Sequence, residues 1–373
     1  MTGTLRAGTP GDDILLSQSP RDRLSGGAGD DIYDIAHYGV AVQEMPDGGH
    51  DVVVAHIDFM LPDFVEDLSM EYAQRGHQPN PALAGAILGI GNRRDNMIAG
   101  NSLDNTIKGL AGNDTLLGNG GDDSLEGGDG NDLLTGGAGN DTLIGGAGND
   151  DLAGGPGDDV IIGGAGDDNI FGGDGLDVVL YDGRLSFIGG EHSAVRDLDG
   201  TIRVTSMTSD ASDVLKGVEL VVFGTEVLVN SQPAPGTARN GFDEALYLSR
   251  NADIAAAVRN GTLASGWDHF RTYGQREGRD PNALFDTDYY LANNRDVAAA
   301  VARGETTAWG HYLNYGGREG RDPSAWFNTR AYAETTDDVA VTGLNPLVHF
   351  LHIGINAGKM AQLSNTTLDW IGG

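Results

Sequence analysis

A nine-residue period runs without a break from Gly91 to Leu180 and constrains the fold more than any other feature of the 373-residue chain. Each of the ten units starts at a glycine, and the eighth position is aliphatic in all ten. A fixed period of this length, with one aliphatic residue per unit, is typical of stacked coils rather than of a globular core. The sixth position is always Asp in the last eight units, at Asp114, Asp123, Asp132, Asp141, Asp150, Asp159, Asp168 and Asp177.

The residue types of the unit indicate a turn that binds a metal ion. Glycines at the first, second and fourth positions allow a tight turn that exposes carbonyl oxygens. Asp at the sixth position adds a carboxylate, and a hard cation with roughly six to eight oxygen ligands suits such a loop, whereas Mg²⁺ demands stricter octahedral order. We therefore expect several Ca²⁺ ions to be the cofactor of this segment.

The seventh to ninth residues are predicted to form a short strand whose eighth residue alone faces inward. Two units make one coil, so units i and i+2 stack. This arrangement predicts that Asp114 lies beside Asp132 and that Asp123 lies beside Asp141. The first two units have Asn96 and Asn105 at the sixth position. Neither amide carries a negative charge, so calcium is less favoured there.

The predicted metal ligands of the roll occupy three positions of the unit. They are the eight position-six carboxylates and the main-chain carbonyls of the first and third positions. These carbonyls belong to Gly109, Ala111, Gly118, Gly120, Gly127, Asp129, Gly136, Ala138, Gly145, Ala147, Gly154, Pro156, Gly163 and Ala165.

The same nine-residue frame recurs near the start of the chain, where the middle unit has lost its glycines. The three units are Gly8–Leu16, Ser17–Ser25 and Gly26–Asp34. Asp13 and Asp31 stand at their sixth positions and are predicted metal ligands, and Asp22 holds the same position in the middle unit.

The run Gly136-Gly-Ala-Gly-Asn-Asp-Thr-Leu-Ile144 resembles the RTX repeat, the hemolysin-type calcium-binding nonapeptide. The resemblance covers about the first 230 residues. It implies a secreted protein that folds with calcium outside the cell or at its surface, after export through a type I secretion apparatus. It also implies an uncleaved export signal in the C-terminal segment.

Composition agrees with that expectation and excludes several partners. The formal net charge of −32 would repel nucleic acid and anionic membranes. The chain has no cysteine, so disulfides and thiolate metal sites are excluded. The N-terminus lacks the apolar stretch of a cleaved secretion signal, and the apolar run at Ala82–Ile90 is too short to span a bilayer, so we expect no membrane insertion.

These features predict a multidomain chain, in which a parallel β-roll with β-strand flanks and a β cap is followed by a small all-α repeat domain. The predicted divisions are N-terminal units and connecting strands at 1–90, the roll at 91–180, the cap at 181–230, a Pro/Gly linker at 231–241, three helical repeats at 242–365 and a tail at 366–373.

The three helical repeats begin at Phe242, Phe285 and Phe327. Asn-x-Asp motifs predict Asn-capped helices, and a His-aromatic helix follows in all three copies. An Arg-Glu-Gly-Arg-Asp-Pro motif closes the first two copies. The array resembles a module found in secreted RTX proteins and beside bacterial glycosyltransferase domains. The repeated Arg, Glu and aromatic residues could bind a polysaccharide or cell-surface ligand. The favoured reading is that the histidines His269, His311 and His349 pack between helices, while the arginines Arg276 and Arg318 pair with local acids.

No enzyme motif is visible in the sequence. His-Glu-x-x-His, Gly-x-Ser-x-Gly and a phosphate loop are all absent. The third positions of the roll show no threonine ladder of the kind that binds ice. We therefore expect a non-enzymatic surface, matrix or adhesion component. The alternatives are a polysaccharide-binding accessory module and a polysaccharide-modifying enzyme with an unrecognised site.

Overall fold

The computed structural model describes residues 4–70, 87–181, 192–196, 201–206, 211–223, 226–229, 241–336, 339, 345–351 and 361–362. The chain divides into two compact units, Met1–Val179 with His192–Gly217, and Leu180–Glu191 with Val218–Gly373. The predicted linker, apart from Gly241, and the predicted tail at 366–373 lie outside the described residues.

The first unit is a parallel β-solenoid. Its strands are β1 (Leu5–Ala7), β2 (Ile14–Leu16), β3 (Arg23–Ser25), β4 (Ile32–Ile35), β5 (Ala41–Val42), β6 (Val52–Ala55), β7 (Phe59–Met60), β8 (Asp67–Ser69), β9 (Leu88–Ile90), β10 (Met97–Ala99), β11 (Thr106–Ala111), β12 (Thr115–Gly120), β13 (Ser124–Asp129), β14 (Leu133–Ala138), β15 (Thr142–Ala147), β16 (Asp151–Pro156), β17 (Val160–Ala165), β18 (Asn169–Asp174), β19 (Val178–Tyr181), β20 (His192–Arg196), β21 (Ile202–Ser206) and β22 (Ser212–Lys216).

Alternate strands pair, so each coil adds one strand to each of two sheets. One sheet runs β2-β4-β6-β8-β10-β12-β14-β16-β18-β22-β21-β20, and the other contains β7, β9, β11, β13, β15, β17 and β19. Leu116 lies opposite Leu134, which confirms that two nonapeptides form one coil. The pairs β20–β21 and β21–β22 are antiparallel and end the first sheet.

The predicted strand was too short. Each regular strand has six residues, from position seven of one unit to position three of the next, as in Thr115–Gly120. Two residues of each strand are buried, the aliphatic residue at position eight and the glycine at position one. The prediction that position eight alone faces inward was therefore wrong. Side chains alternate along a strand, so the residue two places after position eight must also face inward, and glycine leaves room there.

The core of the solenoid consists of aliphatic side chains at position eight, which stack in two files, one on each sheet. These side chains are between 0% and 1% exposed at Ile98, Ile107, Leu116, Leu125, Leu134, Leu143, Leu152, Ile161, Ile170 and Val179. Tyr33 and Leu24 hold position eight in the N-terminal coils and are also fully buried. Each such residue contributes about 1.5 to 3 kcal/mol on burial.

The second unit combines an antiparallel β-ribbon with short helices. Its strands are β23 (Leu220–Phe223), β24 (Glu226–Val229) and β25 (Ala361–Gln362). Its helices are α1 (Glu244–Arg250), α2 (Ala252–Arg259), α3 (Gly266–His269), α4 (Gln275–Glu277), α5 (Thr287–Asn293), α6 (Arg295–Ala302), α7 (Ala308–His311), α8 (Gly317–Glu319), α9 (Thr329–Thr335) and α10 (Pro346–His349). The π-helical turns Phe270–Gly274 and Tyr312–Gly316 follow α3 and α7.

Candidate metal centre

The position-six carboxylates form continuous ladders along the solenoid. Asp132 Oδ1 accepts a 2.7 Å hydrogen bond from the backbone N–H of Asp114, 18 residues earlier. Asp141 Oδ1 accepts a 2.8 Å bond from Asp123 N–H in the same way. The structure thus brings together the two pairs that the sequence placed side by side. The pattern repeats from Asn96 to Asp177.

In seven of these aspartates, the second carboxylate oxygen is buried and has no hydrogen-bond partner. The oxygen is Oδ2, and the seven aspartates are Asp114, Asp123, Asp132, Asp141, Asp150, Asp159 and Asp168. A buried carboxylate without a compensating charge costs several kcal/mol, more than one aliphatic residue of the core contributes. The roll therefore requires a cation or a proton at each of these oxygens.

The glycine at position one makes the space for a second oxygen beside each carboxylate. A Cβ atom on Gly109 would lie 2.2 Å from Asp114 Oδ2 and 2.7 Å from the carbonyl oxygen of Gly127. On Gly118 it would lie 2.3 Å from Asp123 Oδ2 and 2.4 Å from Gly136 O. A carboxylate and a carbonyl from two successive coils thus converge on one point. An all-oxygen donor set of this kind fits Ca²⁺.

The position-one glycines that the sequence selected all lie beside the position-six carboxylate of their own unit. Position-six Oδ2 is the nearest or second-nearest atom to a Cβ built at Gly109, Gly118, Gly127, Gly136, Gly145, Gly154 and Gly163. These residues and the aspartates of the roll are the ones that would hold the ions.

The position-three carbonyls, also predicted as ligands, take part in a hydrogen-bond ladder between coils. Asp129 O accepts a 2.9 Å bond from Gly112 N–H, and Ala138 O accepts a 3.0 Å bond from Gly121 N–H. Ala147, Pro156 and Ala165 accept in the same way from the position-four N–H groups of Gly130, Gly139 and Gly148. Ala111 and Gly120 pair in register with Asp129 and Ala138. One lone pair of a carbonyl remains for a metal ion after such a bond.

A second ladder, at position five, was not predicted. Asp104 Oδ1 accepts from Asp122 N–H at 2.9 Å, and Asn131 Oδ1 accepts from Asn149 N–H at 2.7 Å. This ladder lies on the exposed side and runs opposite to the inner one, because here the later residue is the donor. The signal was present in the sequence, since nine of the ten units have Asp or Asn at position five.

Burial raises the pKa of the inner aspartates well above the ordinary range. It raises the pKa of Asp114 and Asp150 to about 6, and that of Asp123, Asp159 and Asp168 to about 7. Like-charged neighbours add to the effect, as Asp132 does for Asp114. A hydrogen bond from a backbone N–H opposes the shift in each case. These carboxylates are therefore poorly stabilised as anions by the protein alone.

The first units of the roll differ from the later ones at the same place. Asn96 Nδ2 donates to the carbonyl oxygens of Val65 and Glu66, at 3.3 and 3.0 Å. Asn105 Nδ2 lies 3.5 Å from Asn101 Oδ1. Asn96 Oδ1 and Asn105 Oδ1 lie beside Gly91 and Gly100, where the later units place Oδ2, but these oxygens are neutral and already accept hydrogen bonds from the N–H groups of Asn92 and Asn101. This arrangement agrees with the expectation that calcium is less favoured there.

In the N-terminal block, the two predicted ligands have different surroundings. Asp31 is fully buried, and its Oδ2 has no hydrogen-bond partner. Asp13 is less buried, and its Oδ2 accepts bonds from the N–H and hydroxyl of Thr9 at 2.5 and 2.9 Å. Asp22 accepts from Ser19, Gln18, Thr4 and Arg6, and the Ser19 bond is the main cause that lowers its pKa. Asp31 therefore resembles the roll aspartates, whereas hydrogen bonds already satisfy Asp22.

Two ladder members escaped the sequence analysis. Asp51 Oδ1 accepts from Asp31 N–H at 2.9 Å, and Asp213 Oδ1 accepts from Asp168 N–H at 3.0 Å. Asp213 lies 45 residues beyond its donor, so no period identifies it. Asp51 follows Gly48-Gly49-His50, which is a fragment of the repeat. The step from Asp31 to Asp51 is 20 residues instead of 18, so a search for the nine-residue period misses this fragment.

The repeated motifs of the helical unit contact one another inside that unit. Tyr247, Tyr290 and Tyr332 hydroxyls lie 2.8, 2.9 and 3.0 Å from Nδ1 of the predicted histidines His269, His311 and His349. All three tyrosines are buried. Each histidine therefore has a tyrosine partner within its own repeat.

The arginines that form ion pairs are not the ones that the sequence analysis selected. Arg279, rather than Arg276, bonds Asp253 through two nitrogens at 3.0 Å and also pairs with Glu277. Arg321, rather than Arg318, pairs with its counterparts Asp296 and Glu319. The last arginine of the Arg-Glu-Gly-Arg motif follows a left-handed glycine, which turns it back toward the Asn-x-Asp motif.

The same ion pairs correct the predicted Asn caps. Asn251 and Asn294 stand at the N-cap positions of α2 and α6, but their side chains form no capping bond. Asn251 donates to Tyr247 O and accepts from Arg279, and Asn294 donates to Tyr290 O and accepts from Arg321.

The fold and the ladders together define a parallel β-solenoid with repeated oxygen sites for a hard cation. The family model of the RTX calcium-binding nonapeptide repeat, four copies long, matches residues 7–34 and, with overlaps, 90–125, 99–134, 117–152, 126–161 and 144–179. The chain thus contains an RTX β-roll with calcium-binding repeats. No curated protein matches it. None of the helices in the described part of the chain has the length and apolar character that crossing a bilayer would need.

Proposed function

We propose that the protein is secreted and folds outside the cell when Ca²⁺ fills the sites between its coils. The line of buried, unpartnered Oδ2 atoms carries the proposal. Calcium binding would compensate these charges, and because the sites require stacked coils, binding free energy becomes folding free energy.

The charge of the chain supports export before folding. At low calcium, with a net charge of −32, the clustered carboxylates repel one another and favour an extended chain. Extracellular calcium modules bind at about 10⁻⁴ to 10⁻³ M, a concentration that the cytosol does not reach. Export through a type I secretion apparatus, with the signal in the C-terminal segment, suits a chain that stays unfolded inside.

The proposed role is that of a non-enzymatic surface, matrix or adhesion component. The inner carboxylates of the roll are engaged in the ladders and are buried, so they are poorly placed to reach a large substrate. The net charge argues against nucleic acid as a partner.

Circular dichroism and calorimetry of the full chain in chelator and in millimolar Ca²⁺ test the proposal. We expect a large gain of β signal with calcium and a second thermal transition that calcium does not move. A spectrum that is the same in both conditions would overturn the proposal.

A polysaccharide-binding role is the second candidate, and two exposed tyrosines favour it. Tyr273 and Tyr315 occupy the same place in successive repeats and are 56% and 60% exposed. Each ring centroid lies within 5.7 Å of the histidine of its repeat, which orients the ring. Exposed aromatic faces provide contact area at little entropic cost. Glycan-array binding that Tyr273→Ala with Tyr315→Ala abolishes would favour this role, and turnover of a polysaccharide would indicate an enzyme.

A further inference from the structure

The coil after the third N-terminal unit departs from the nonapeptide, yet it continues the inner ladder. Asp31 N–H donates to Asp51 Oδ1 at 2.9 Å across 20 residues, whereas the regular step is 18. The register of β4 with β6 pairs Tyr33 with Val53, the same 20-residue step. Asp51 therefore holds position six in a lengthened coil.

Glu44 stands where regular coils have the position-one glycine. Leu24 lies opposite Val42, so the same register places Glu44 opposite Gly26, and Gly26 N–H donates to Glu44 Oε1 at 3.1 Å. In a regular coil this place presents only a carbonyl oxygen to the aspartate of the neighbouring coil. Here the side chain adds a third carboxylate.

The three carboxylates converge. One oxygen each from Asp31, Glu44 and Asp51 lies within 4.8 Å of the others. Asp31 and Asp51 are fully buried, their Oδ2 atoms have no hydrogen-bond partner, and Glu44 is 9% exposed. Glu44 Oε1 also accepts from the Tyr33 hydroxyl, which fixes its orientation. Three buried like charges at this distance require a cation or a shared proton, and a cation neutralises more of the charge.

We propose that Asp31, Glu44 and Asp51 form a calcium site of higher affinity than those of the regular coils, so that the N-terminal coils load calcium first. This inference rests on the proposed calcium-dependent folding. The number of charged ligands and the rigidity of a site set calcium affinity. The site has three carboxylates held by backbone and tyrosine donors, whereas in a regular coil a carbonyl oxygen takes the place of the Glu44 carboxylate.

Terbium luminescence tests the site selectively. Tyr33 is buried and bonds Glu44, while residues 91–180 contain neither tyrosine nor tryptophan. Tb³⁺ bound at this site should therefore emit on excitation of Tyr33, and emission that persists in Tyr33→Phe measures the contribution of other tyrosines, such as Tyr181 of β19 at the end of the roll. We expect emission from the full chain to saturate at lower Tb³⁺ than the circular dichroism change, to be displaced by Ca²⁺ and to be mostly lost in Tyr33→Phe. Unchanged emission in Tyr33→Phe would overturn the proposal.

Substitution of the third ligand gives the second test. Glu44→Gln should weaken Tb³⁺ binding at this site about tenfold or more. Asp47→Asn removes the same charge from an exposed position of the same turn and should leave the affinity unchanged. Equal affinities in both variants would mean that the carboxylates share a proton only, and would overturn the proposal.

Circular dichroism in saturating Ca²⁺ distinguishes a failure of the proposed three-carboxylate site from a failure of the proposed calcium-dependent folding. If Glu44→Gln does not fold there, the Tyr33→Phe comparison alone decides. Failure of both luminescence tests with a calcium-dependent spectrum intact overturns only this site. A wild-type spectrum that ignores calcium overturns the proposed function as well.

Discussion

Asp132 Oδ1 accepts a hydrogen bond from the N–H of Asp114, while Asp132 Oδ2 is buried with no hydrogen-bond partner. One carboxylate thus links two coils through one oxygen and leaves the other for a cation. Repetition of this relationship along the roll would make the folding of the coils and the binding of calcium one process, as we propose.

Asp132→Asn should raise the calcium concentration needed for folding severalfold. The amide retains an oxygen for Asp114 N–H but places either a neutral oxygen or an N–H donor toward the metal. The same calcium titration of Asp129→Asn, an exposed aspartate of the same unit, is the control and should change little. Equal midpoints for the two variants would show that Asp132 is not a ligand.

Gly118→Ala should destabilise the calcium-bound roll by about 2 kcal/mol or more, because the new methyl group enters the site. Its Cβ would lie 2.3 Å from Asp123 Oδ2 and 2.4 Å from Gly136 O. Gly120→Ala is the matched control, since its Cβ meets nothing closer than Ala138 O at 3.6 Å. Thermal unfolding in excess calcium compares them, and a similar loss in both would refute the placement of the site.

In chelator, the roll should become more stable on acidification. Burial raises the pKa of Asp123, Asp159 and Asp168 to about 7 in the folded state, against about 4 in the unfolded chain. A raised folded pKa gives stability that is complete below the unfolded value and is lost as the pH rises through the folded value. Circular dichroism in chelator should therefore show more β structure at pH 5 than at pH 8. The opposite trend would contradict the assignment.

Arg279→Lys should destabilise the helical unit by about 1 kcal/mol without moving the calcium midpoint. The guanidinium bonds Asp253 through two nitrogens and also reaches Asn251 and Glu277, a geometry that an ammonium cannot reproduce. Arg303→Lys, in an exposed pair with Glu305, is the control. Calorimetry should show a lower melting temperature for the helical transition in Arg279→Lys alone.

Much of the solenoid follows from the sequence because a strict period determines both the register of the strands and which side chains face the core. The position-eight files and the stacking of Asp114 on Asp132 could be predicted from that period alone. The inward-facing glycine was missed because a strand of three residues was assumed, although alternation places it two residues after position eight.

Features without a period were harder to predict. Asp51 and Glu44 lie in a coil two residues longer than the rest, and Asp213 comes 45 residues after its partner. In the helical unit, the choice between Arg276 and Arg279 depended on a left-handed glycine, Gly278, whose direction is a property of the folded backbone. The residues of the motifs could be read from the sequence, but which of them contact each other depends on the folded structure.

Hydrogen–deuterium exchange of the full chain, in chelator and in calcium, tests the central claim most directly. We expect the position-six amides between Asp114 and Asp168 to exchange freely in chelator at neutral pH and to become strongly protected in millimolar Ca²⁺. The helices between Glu244 and Thr335 should be protected equally in both conditions. Protection of the roll amides in chelator that matches their protection in calcium would contradict the account.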